Sequence, residues 1–384
     1  VGGRSGARPP VVVTAEECEI MVASVENPVL AEDPGKSLAK KKSQGSGLGR
    51  YIIVRFLLII PTIWILTTLV FFLMRITGDP ITAALGGRLT QAQLQERIEA
   101  AGYDRPLIVQ YFEYMGGLLR GDFGTTVSDN RAVSEVVLQY GAATVELVFF
   151  SLIVAFAVGI PLGMLAAYHR DRWPDAALRV FAILCYATPV FFAGLLLKLV
   201  FGVLIPLFPA SGRATGSTEL LMSGVVGPTR IYFIDALRIG DMAAFGDILS
   251  HAVLPAIALG LLTAGVFLRL VRTNLIGTLG QQYIESGRSR GVSEFRLVTR
   301  HAWRPALIPV ITVMGMQIAM MLAGAVLTET TFEWKGLGFQ LVEYLLKRDF
   351  VAVQGIVVVL AVIVAVTNFI VDVIAALIDP RVRY

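Results

Sequence analysis

Six uncharged apolar runs punctuate this chain: Phe56–Met74, Leu147–Tyr168, Val180–Leu197, Ala252–Leu268, Pro305–Thr328 and Phe350–Val371. A helix needs roughly 17–25 residues to cross a hydrocarbon core about 30 Å thick. Inside that core every backbone polar group has to be bonded within the segment itself, which leaves helices and closed barrels as the spanning structures. Runs of this length without Asp, Glu, Lys or Arg therefore predict an all-α polytopic membrane protein with six transmembrane helices. Allowing for their ends, the spans fall near 51–75, 143–168, 176–205, 251–272, 305–328 and 350–377. Only 16% of residues are charged and mean hydropathy is +0.69, against about 25% charged residues in soluble domains. The first run is too long for the apolar core of a cleaved signal peptide and reads as a signal-anchor helix.

Basic residues sort the connections between the spans. Lys40–Lys42, Arg50 and Arg55 precede the first, and Arg170, Arg172 and Arg179 lie between the second and third. Seven arginines (Arg269, Arg272, Arg288, Arg290, Arg296, Arg300 and Arg304) crowd the fourth-to-fifth connection, and Arg381 and Arg383 follow the sixth span. The opposite side is poorer in Lys and Arg and carries Asp235, Asp241, Asp247, Glu329, Glu333 and Glu343. This places both termini in the cytoplasm. The net charge of +4 is small and its placement asymmetric, so it speaks of orientation and not of nucleic acid.

Residues 1–50 mix Gly, Ser, Pro, Lys and Glu without periodicity and read as a disordered cytoplasmic extension. The remainder, 51–384, is the transmembrane domain. Its first external loop, 76–142, carries ordered signals. Thr90 and Gln93 form a capping box opening a helix that Gly102 ends. Asp104 and Pro106 start a second helix, whose Leu107, Tyr111, Tyr114 and Leu118 keep helical spacing up to Gly121. Such a pair suits the outer membrane surface or a cap over the pore, as a packed lid or as a substrate contact. In the loop 206–250, Ile231–Leu237 and Met242–Leu249 read as short surface helices.

The ionisable residues near the spans, Arg55, Glu146, Lys198 and Asp372, fall within a turn or two of an end, where side chains reach headgroups. A pump coupled to an ion gradient needs an ionisable group at depth, so energy supplied from outside the bilayer is favoured. Pro61, Pro161, Pro189, Pro255 and Pro309 interrupt five spans and bend helices. Gly159-x-x-x-Gly163 around Pro161 fits either close helix packing or a hinge. Cys18 and Cys185 lie in dissimilar surroundings and predict no disulfide. His169, His251 and His301 lack metal-ligand spacing.

Gly35-Lys36-Ser37 resembles the end of a phosphate loop, but Leu30 stands where the first glycine belongs and no strand precedes it. No nucleotide site is visible on this chain, so any ATP would be hydrolysed by another. The most specific signal lies in the connection 273–304. Leu279–Arg290 can form one helix, Gly291 can adopt a positive φ at low cost, and Ser293 can cap a second helix. That second helix carries Phe295, Val298 and Ala302 on one face and Arg296, Arg300 and Arg304 on the other, suited to membrane packing and cytoplasmic contact respectively. The element fits docking to a cytoplasmic partner or a basic loop lying on anionic lipid.

This segment resembles the EAA-type loop of the inner-membrane permease subunits of ABC importers, in Glu285-Ser286-Gly287, Gly291 and Ile308-Pro309. The strict alanines are absent, as in the dipeptide/oligopeptide (B-type) permease family, which also takes in nickel and glutathione permeases. Gly78-Asp79-Pro80, the stretch Ala101–Val127, Ile231–Asp235 and His251–Pro255 are similar to that branch, and the likeness covers about residues 50–384. It implies the type I ABC importer permease fold in the bacterial inner membrane. It also implies a homologous second permease subunit, two cytoplasmic ATPases carrying ATP and Mg, and an extracytoplasmic substrate-binding protein. This chain itself would be no enzyme and hold no cofactor or metal. Glu285, Ser286, Gly287, Arg288, Ser289, Arg290, Gly291, Val292 and Ser293 would form the ATPase contact, with Arg288 and Arg290 facing acidic groups there.

The function expected is thus ATP-driven peptide import. The alternatives are a self-contained secondary transporter or channel, or a nickel or glutathione permease. An intramembrane enzyme lacks an Asp pair, a Ser/His pair or HExxH at depth. The pore walls are expected to be weakly polar and aromatic, with Tyr186, Thr188, Phe191, Phe192, Thr263, Asn274 and Gln317 holding cargo loosely.

Overall fold

The computed structural model describes residues 47–76 and 78–378, and all of the regular structure in them is helical. The expectations for the tail up to Ser46, Lys40–Lys42, Cys18, Arg381 and Arg383 lie outside the described residues. Long helices are α1 (Gly47–Ile76), α5 (Val133–Tyr168), α10 (Met242–Leu279), α13 (Trp303–Phe332) and α15 (Phe350–Ile378). Short helices connect them: α2 (Pro80–Leu85), α3 (Gln91–Ala100), α4 (Leu107–Leu119), α6 (Trp173–Ala187), α7 (Val190–Leu197), α8 (Gly216–Ser223), α9 (Tyr232–Ile239), α11 (Gln282–Ser289), α12 (Glu294–Arg296) and α14 (Leu337–Leu346). Five helices have the length and apolarity to cross a membrane, six if α6 and α7 count as one broken span.

The third span is not the straight helix its apolar run suggests. It stops at Thr188 and restarts after Pro189, and its halves meet at 104°. Pro189 lacks the N–H needed to continue α6, and the residue before a proline is pushed to extended backbone. Thr188 accordingly has ψ 123°. The other four prolines stay within helices: Pro61, Pro161, Pro255 and Pro309. Beyond α7 the chain widens into a π-helical turn over Lys198–Leu204.

The centre of the bundle is α10, whose apolar window is 61% buried against 11% for peripheral α1. It packs on α5 through glycines. A Cβ on Gly159 would meet the Ala264 carbonyl oxygen at 2.7 Å, one on Gly163 the Leu268 oxygen at 2.8 Å, and one on Gly260 the Ser151 oxygen at 2.6 Å. Small residues bring the two backbones together, which is what drives helix association where lipid is as apolar as the side chains. Of the two readings of Gly159-x-x-x-Gly163, this geometry supports packing.

α5, α10 and α13 overrun their apolar stretches, and this changes two expectations. Met242–Leu249 forms the first turns of α10 rather than a separate surface helix. Glu146 and Glu329, placed by sequence at a headgroup or in a loop, are fully buried. The loop after α7 folds back over them. Arg213 Nε donates to Glu146 Oε2 at 2.7 Å, Arg213 Nη2 to the Arg230 carbonyl at 2.8 Å, and the Phe233 N–H to Glu146 Oε1 at 3.0 Å. The Arg213 guanidinium lies 3.6 Å from the Tyr232 ring centroid. Beside it, Thr144 donates to Glu329 Oε1 at 2.6 Å, the Phe339 N–H to Glu329 Oε2 at 2.9 Å, and the Trp334 indole to the Ala143 carbonyl at 2.9 Å. Removing one partner of a buried ion pair strands the other charge, at a cost of about 3–5 kcal/mol. Arg213→Ala should therefore lower the melting temperature of the purified subunit sharply, and Arg213→Ala with Glu146→Gln should recover part of the loss. A single variant that melts like the parent would refute the role given to this pair.

At the same end, the first loop forms a packed lid. The Thr90–Gln93 capping box is present. Gly102 and Gly121 have φ +73° and +81°, each closing a Schellman turn: Tyr103 N to Ile98 O at 3.0 Å and Asp122 N to Gly117 O at 3.0 Å. Asp104 makes no cap, because Pro106 itself occupies the position before α4. The lid is fastened to α1 by Thr68 Oγ1 with Tyr111 Oη (2.8 Å) and by Arg75 Nε donating to Gln110 Oε1 (3.0 Å). Burial pushes the Tyr114 phenol up to about 12. Ser128 N–H and Oγ donate to Asp349 Oδ2 at 2.7 and 2.8 Å, tying the loop to the start of α15.

Candidate functional site

At the opposite end the chain turns from α10 to α13 through the arginine-rich connection. The helix anticipated over Leu279–Arg290 starts later, as α11 over Gln282–Ser289. α10 runs to Leu279, the backbone extends at Gln281 (ψ 147°), and α11 begins at Gln282. Gly280 sits at the break, where a residue with no side chain to pack gives a helix least reason to continue.

Three buried apolar side chains fix α11 and the helical turns after it. Ile284, Leu297 and Val298 join Leu275, Ala167, Ala302 and Ala306 in one cluster. Burying an Ile or Leu contributes about 1.5–3 kcal/mol, so the connection is a rigid element seated on the ends of α5 and α10. Gly287 permits this closeness, since a Cβ there would lie 3.0 Å from Leu297 Cδ2.

The turn itself is a Schellman motif. Gly291 has φ +76°, its N–H donates to the Arg288 carbonyl at 3.0 Å, and the Val292 N–H to the Gly287 carbonyl at 3.2 Å. An ion pair bridges it: Arg288 Nε donates to Glu294 Oε1 at 2.5 Å and Nη2 to Oε2 at 3.2 Å. The Glu294 carboxylate hydrogen-bonded to Arg288 holds that guanidinium above its ordinary pKa. Arg288 and Arg290, both directed outward by sequence reasoning, are exposed, and Arg288 is at the same time paired with Glu294 across the turn. Ser293 adopts the extended N-cap backbone (ψ 144°) without a side-chain cap bond.

After Ser293 the chain is helical, α12, then a π-helical turn over Leu297–Ala302, then α13. The wider turn shifts the helix phase. Val298 and Ala302 are buried against the bundle, but Phe295, grouped with them by sequence, is 68% exposed. With Tyr283, Glu285, Ser286, Ser289 and Arg290, also exposed, Phe295 gives the tip an amphipathic outer surface on an immobile base.

Not every arginine of this region is at the tip. Arg272 donates to Asp175 of α6 from Nε at 2.5 Å and from Nη2 at 2.7 Å. Sequence reasoning missed this pair. The basic connection carries two acids, Asp171 and Asp175, and the structure buries Asp175, two residues after Trp173, while Asp171 is exposed. The anticipated pore residues separate into two groups. Tyr186, Phe191 and Phe192 are exposed and Thr188 half-exposed around the Pro189 break. Thr263 and Gln317 are buried between helices of this subunit, and Asn274 is half-buried with an unbonded Nδ2.

A helical bundle with glycine-packed spans and a rigid, glycine-turned tip between α10 and α13 is the arrangement of a binding-protein-dependent permease. The chain belongs to that family. Residues 159–384 match the binding-protein-dependent transport system inner membrane component, and residues 48–161 match its N-terminal membrane component. It is thus the permease component of an ABC importer in the inner membrane. Among its relatives, the di/tripeptide transport system permease protein of Pseudomonas aeruginosa is 35% identical, covering 87% of this chain and 98% of that one. The dipeptide transport system permease protein of Escherichia coli is 36% identical over 87% of this chain and 99% of its own length. A probable D,D-dipeptide transport system permease protein of Escherichia coli is 36% identical over 80% and 89% respectively.

Proposed function

We propose that this chain forms half of the pore of an importer of di- and oligopeptides. Its companions are a homologous second permease subunit, two cytoplasmic ATPases that bind ATP and Mg, and an extracytoplasmic binding protein. The relatives named for dipeptide and di/tripeptide transport support the cargo. The tip between α10 and α13 supports the drive. Its surface from Glu285 to Ser293, with Gly291 at the bend, seats in a groove of one ATPase, and both termini of the chain lie on that cytoplasmic side. Arg290 reaches an acidic group there, and Arg288 keeps the turn in shape.

Mechanically, the observation that carries this reading is the rigidity of the base. A tip anchored by buried Ile284, Leu297 and Val298 cannot be displaced without moving α10 and α13. Closure of the ATPases around ATP would therefore be passed to the spans as a rigid-body rotation, the sort of movement that opens one face of a transporter and shuts the other. The passage runs along the broken third span, beside Tyr186, Thr188, Phe191 and Phe192. Thr263, Asn274 and Gln317 lie behind it and tune its width.

Reconstitution tests this. Vesicles holding the whole assembly should accumulate alanyl-phenylalanine when ATP and the loaded binding protein are supplied, and vesicles holding this chain alone should not. Accumulation by the lone chain on an ion gradient would overturn the proposal in favour of a secondary transporter.

A further inference from the structure

The third span and α10 enclose a cavity of about 450 Å³, within the range of about 300–1,000 Å³ usual for small-molecule sites. Its walls are mainly apolar, with Ile183, Tyr186 and Gly265 among them, yet three guanidinium groups border it: Arg179, Arg269 and Arg272. One carboxylate serves two of them. Asp175 is engaged bidentately by Arg272 and approached by Arg179 Nε at 3.8 Å. Among the described residues, no carboxylate pairs with Arg269. Its only partner there is the Tyr186 ring, 5.9 Å from the guanidinium carbon to the centroid.

The direction of Arg269 identifies the medium it faces. Side chains on a helix tilt toward its N-terminus, and α10 runs toward the tip, so Arg269 leans away from the tip and into the membrane. Tyr186 confirms the depth, lying 11 residues beyond Asp175 along α6, about 16 Å of helix rise. An arginine facing lipid extends to the nearest headgroups instead. Charged side chains that remain at depth face the bundle interior or a water-filled path, and they mark substrate routes.

We infer that Arg269, backed by Tyr186, receives the C-terminal carboxylate of the peptide as it passes the inner half of the pore. This rests on the peptide reading above. A guanidinium offers donors in a planar fork matched to a carboxylate. Every unblocked peptide carries that group whatever its side chains, so the site recognises the class of cargo without choosing among sequences. Arg269 and Tyr186 are both exposed, so water screens the contact and keeps it weak, as a step in a passage must be. The walls are thus not wholly uncharged, as the apolar runs alone suggest.

The test uses the complete reconstituted complex with alanyl-phenylalanine as cargo. Arg269→Gln should reduce peptide taken up per ATP hydrolysed about tenfold while binding-protein-stimulated hydrolysis persists, and Arg269→Lys should restore most of the uptake. An unchanged ratio in Arg269→Gln would overturn the inference. So would a wild-type dependence on phosphatidylglycerol in the vesicles that Arg269→Gln abolishes, which would assign the arginine to a lipid headgroup. A second measurement needs no variant. Alanyl-benzoylphenylalanine added to the nucleotide-free complex without binding protein should photolabel α6 or α10 near Tyr186, and its C-terminal amide should not. Equal labelling by both overturns the inference even if the variants do not assemble. Were the wild-type complex to move no peptide at all, the cargo assignment itself would fail.

Discussion

Replacing Gly163 with leucine should prevent the subunit from accumulating as a stable membrane protein. The first atom of any side chain there would lie 2.8 Å from the Leu268 carbonyl oxygen and 2.8 Å from Val271 Cβ. Neither can yield, since one is backbone and the other is the branch point of a packed side chain. Gly159 and Gly260 meet the same helix pair equally closely, so α5 and α10 would have to separate along the seam. Overfilling a packed interior costs about 1–3 kcal/mol and sometimes more, and in a bilayer the van der Waals fit between helices is itself a main attraction. Gly163→Ala should already lower the melting temperature of the detergent-solubilised protein, and Gly163→Leu should leave little to purify. If Gly163→Leu melted like the parent and only transport changed, the glycines would be a hinge and the packing account would be wrong.

Substituting Gly291 with valine should leave the complex assembled and remove its response to cargo. At φ +76° an L-residue costs roughly 1–2 kcal/mol, and a β-branched one is a genuine outlier there. The space around the glycine is open, so the fault would be in the backbone and not in packing. The Schellman bonds and the Arg288–Glu294 pair depend on that one conformation, and the tip would swing relative to Ile284 and Leu297. Stimulation of ATP hydrolysis by loaded binding protein should fall more than tenfold in Gly291→Val, with the ATPases still co-purifying. Asparagine tolerates the left-handed region better than most residues, so Gly291→Asn should keep much of the stimulation. Equal coupling in the two variants would show that the turn does not carry the drive.

Much of the architecture was legible because a bilayer admits few solutions. Uncharged runs of spanning length yielded helices in the right order. Punctuation by Thr90, Gln93, Gly102, Gly121 and Gly291 was read correctly, since a positive φ or a cap is a local property of a few residues. The failures share another cause. Glu146 and Glu329 looked peripheral because composition records where apolar residues stop, not where helices stop. α5 and α13 continue, and the loop bearing Arg213 and Phe233 covers them. Asp175–Arg272 and Arg269–Tyr186 likewise join residues far apart in the chain, and no periodicity relates them. Phe295, grouped by sequence with Val298 and Ala302, differs from them in burial because a π-helical turn alters the phase between them.

Sequence by itself thus determined that the chain is helical, that it crosses the membrane repeatedly, and that a glycine bend lies in the basic connection. Each arises from interactions within a few residues or between one segment and lipid. Only the tertiary structure decided which charges are paired, and that the third span breaks through 104°. A carboxylate can satisfy just one or two guanidinium groups, and which ones it meets depends on how closely glycine lets the helices approach.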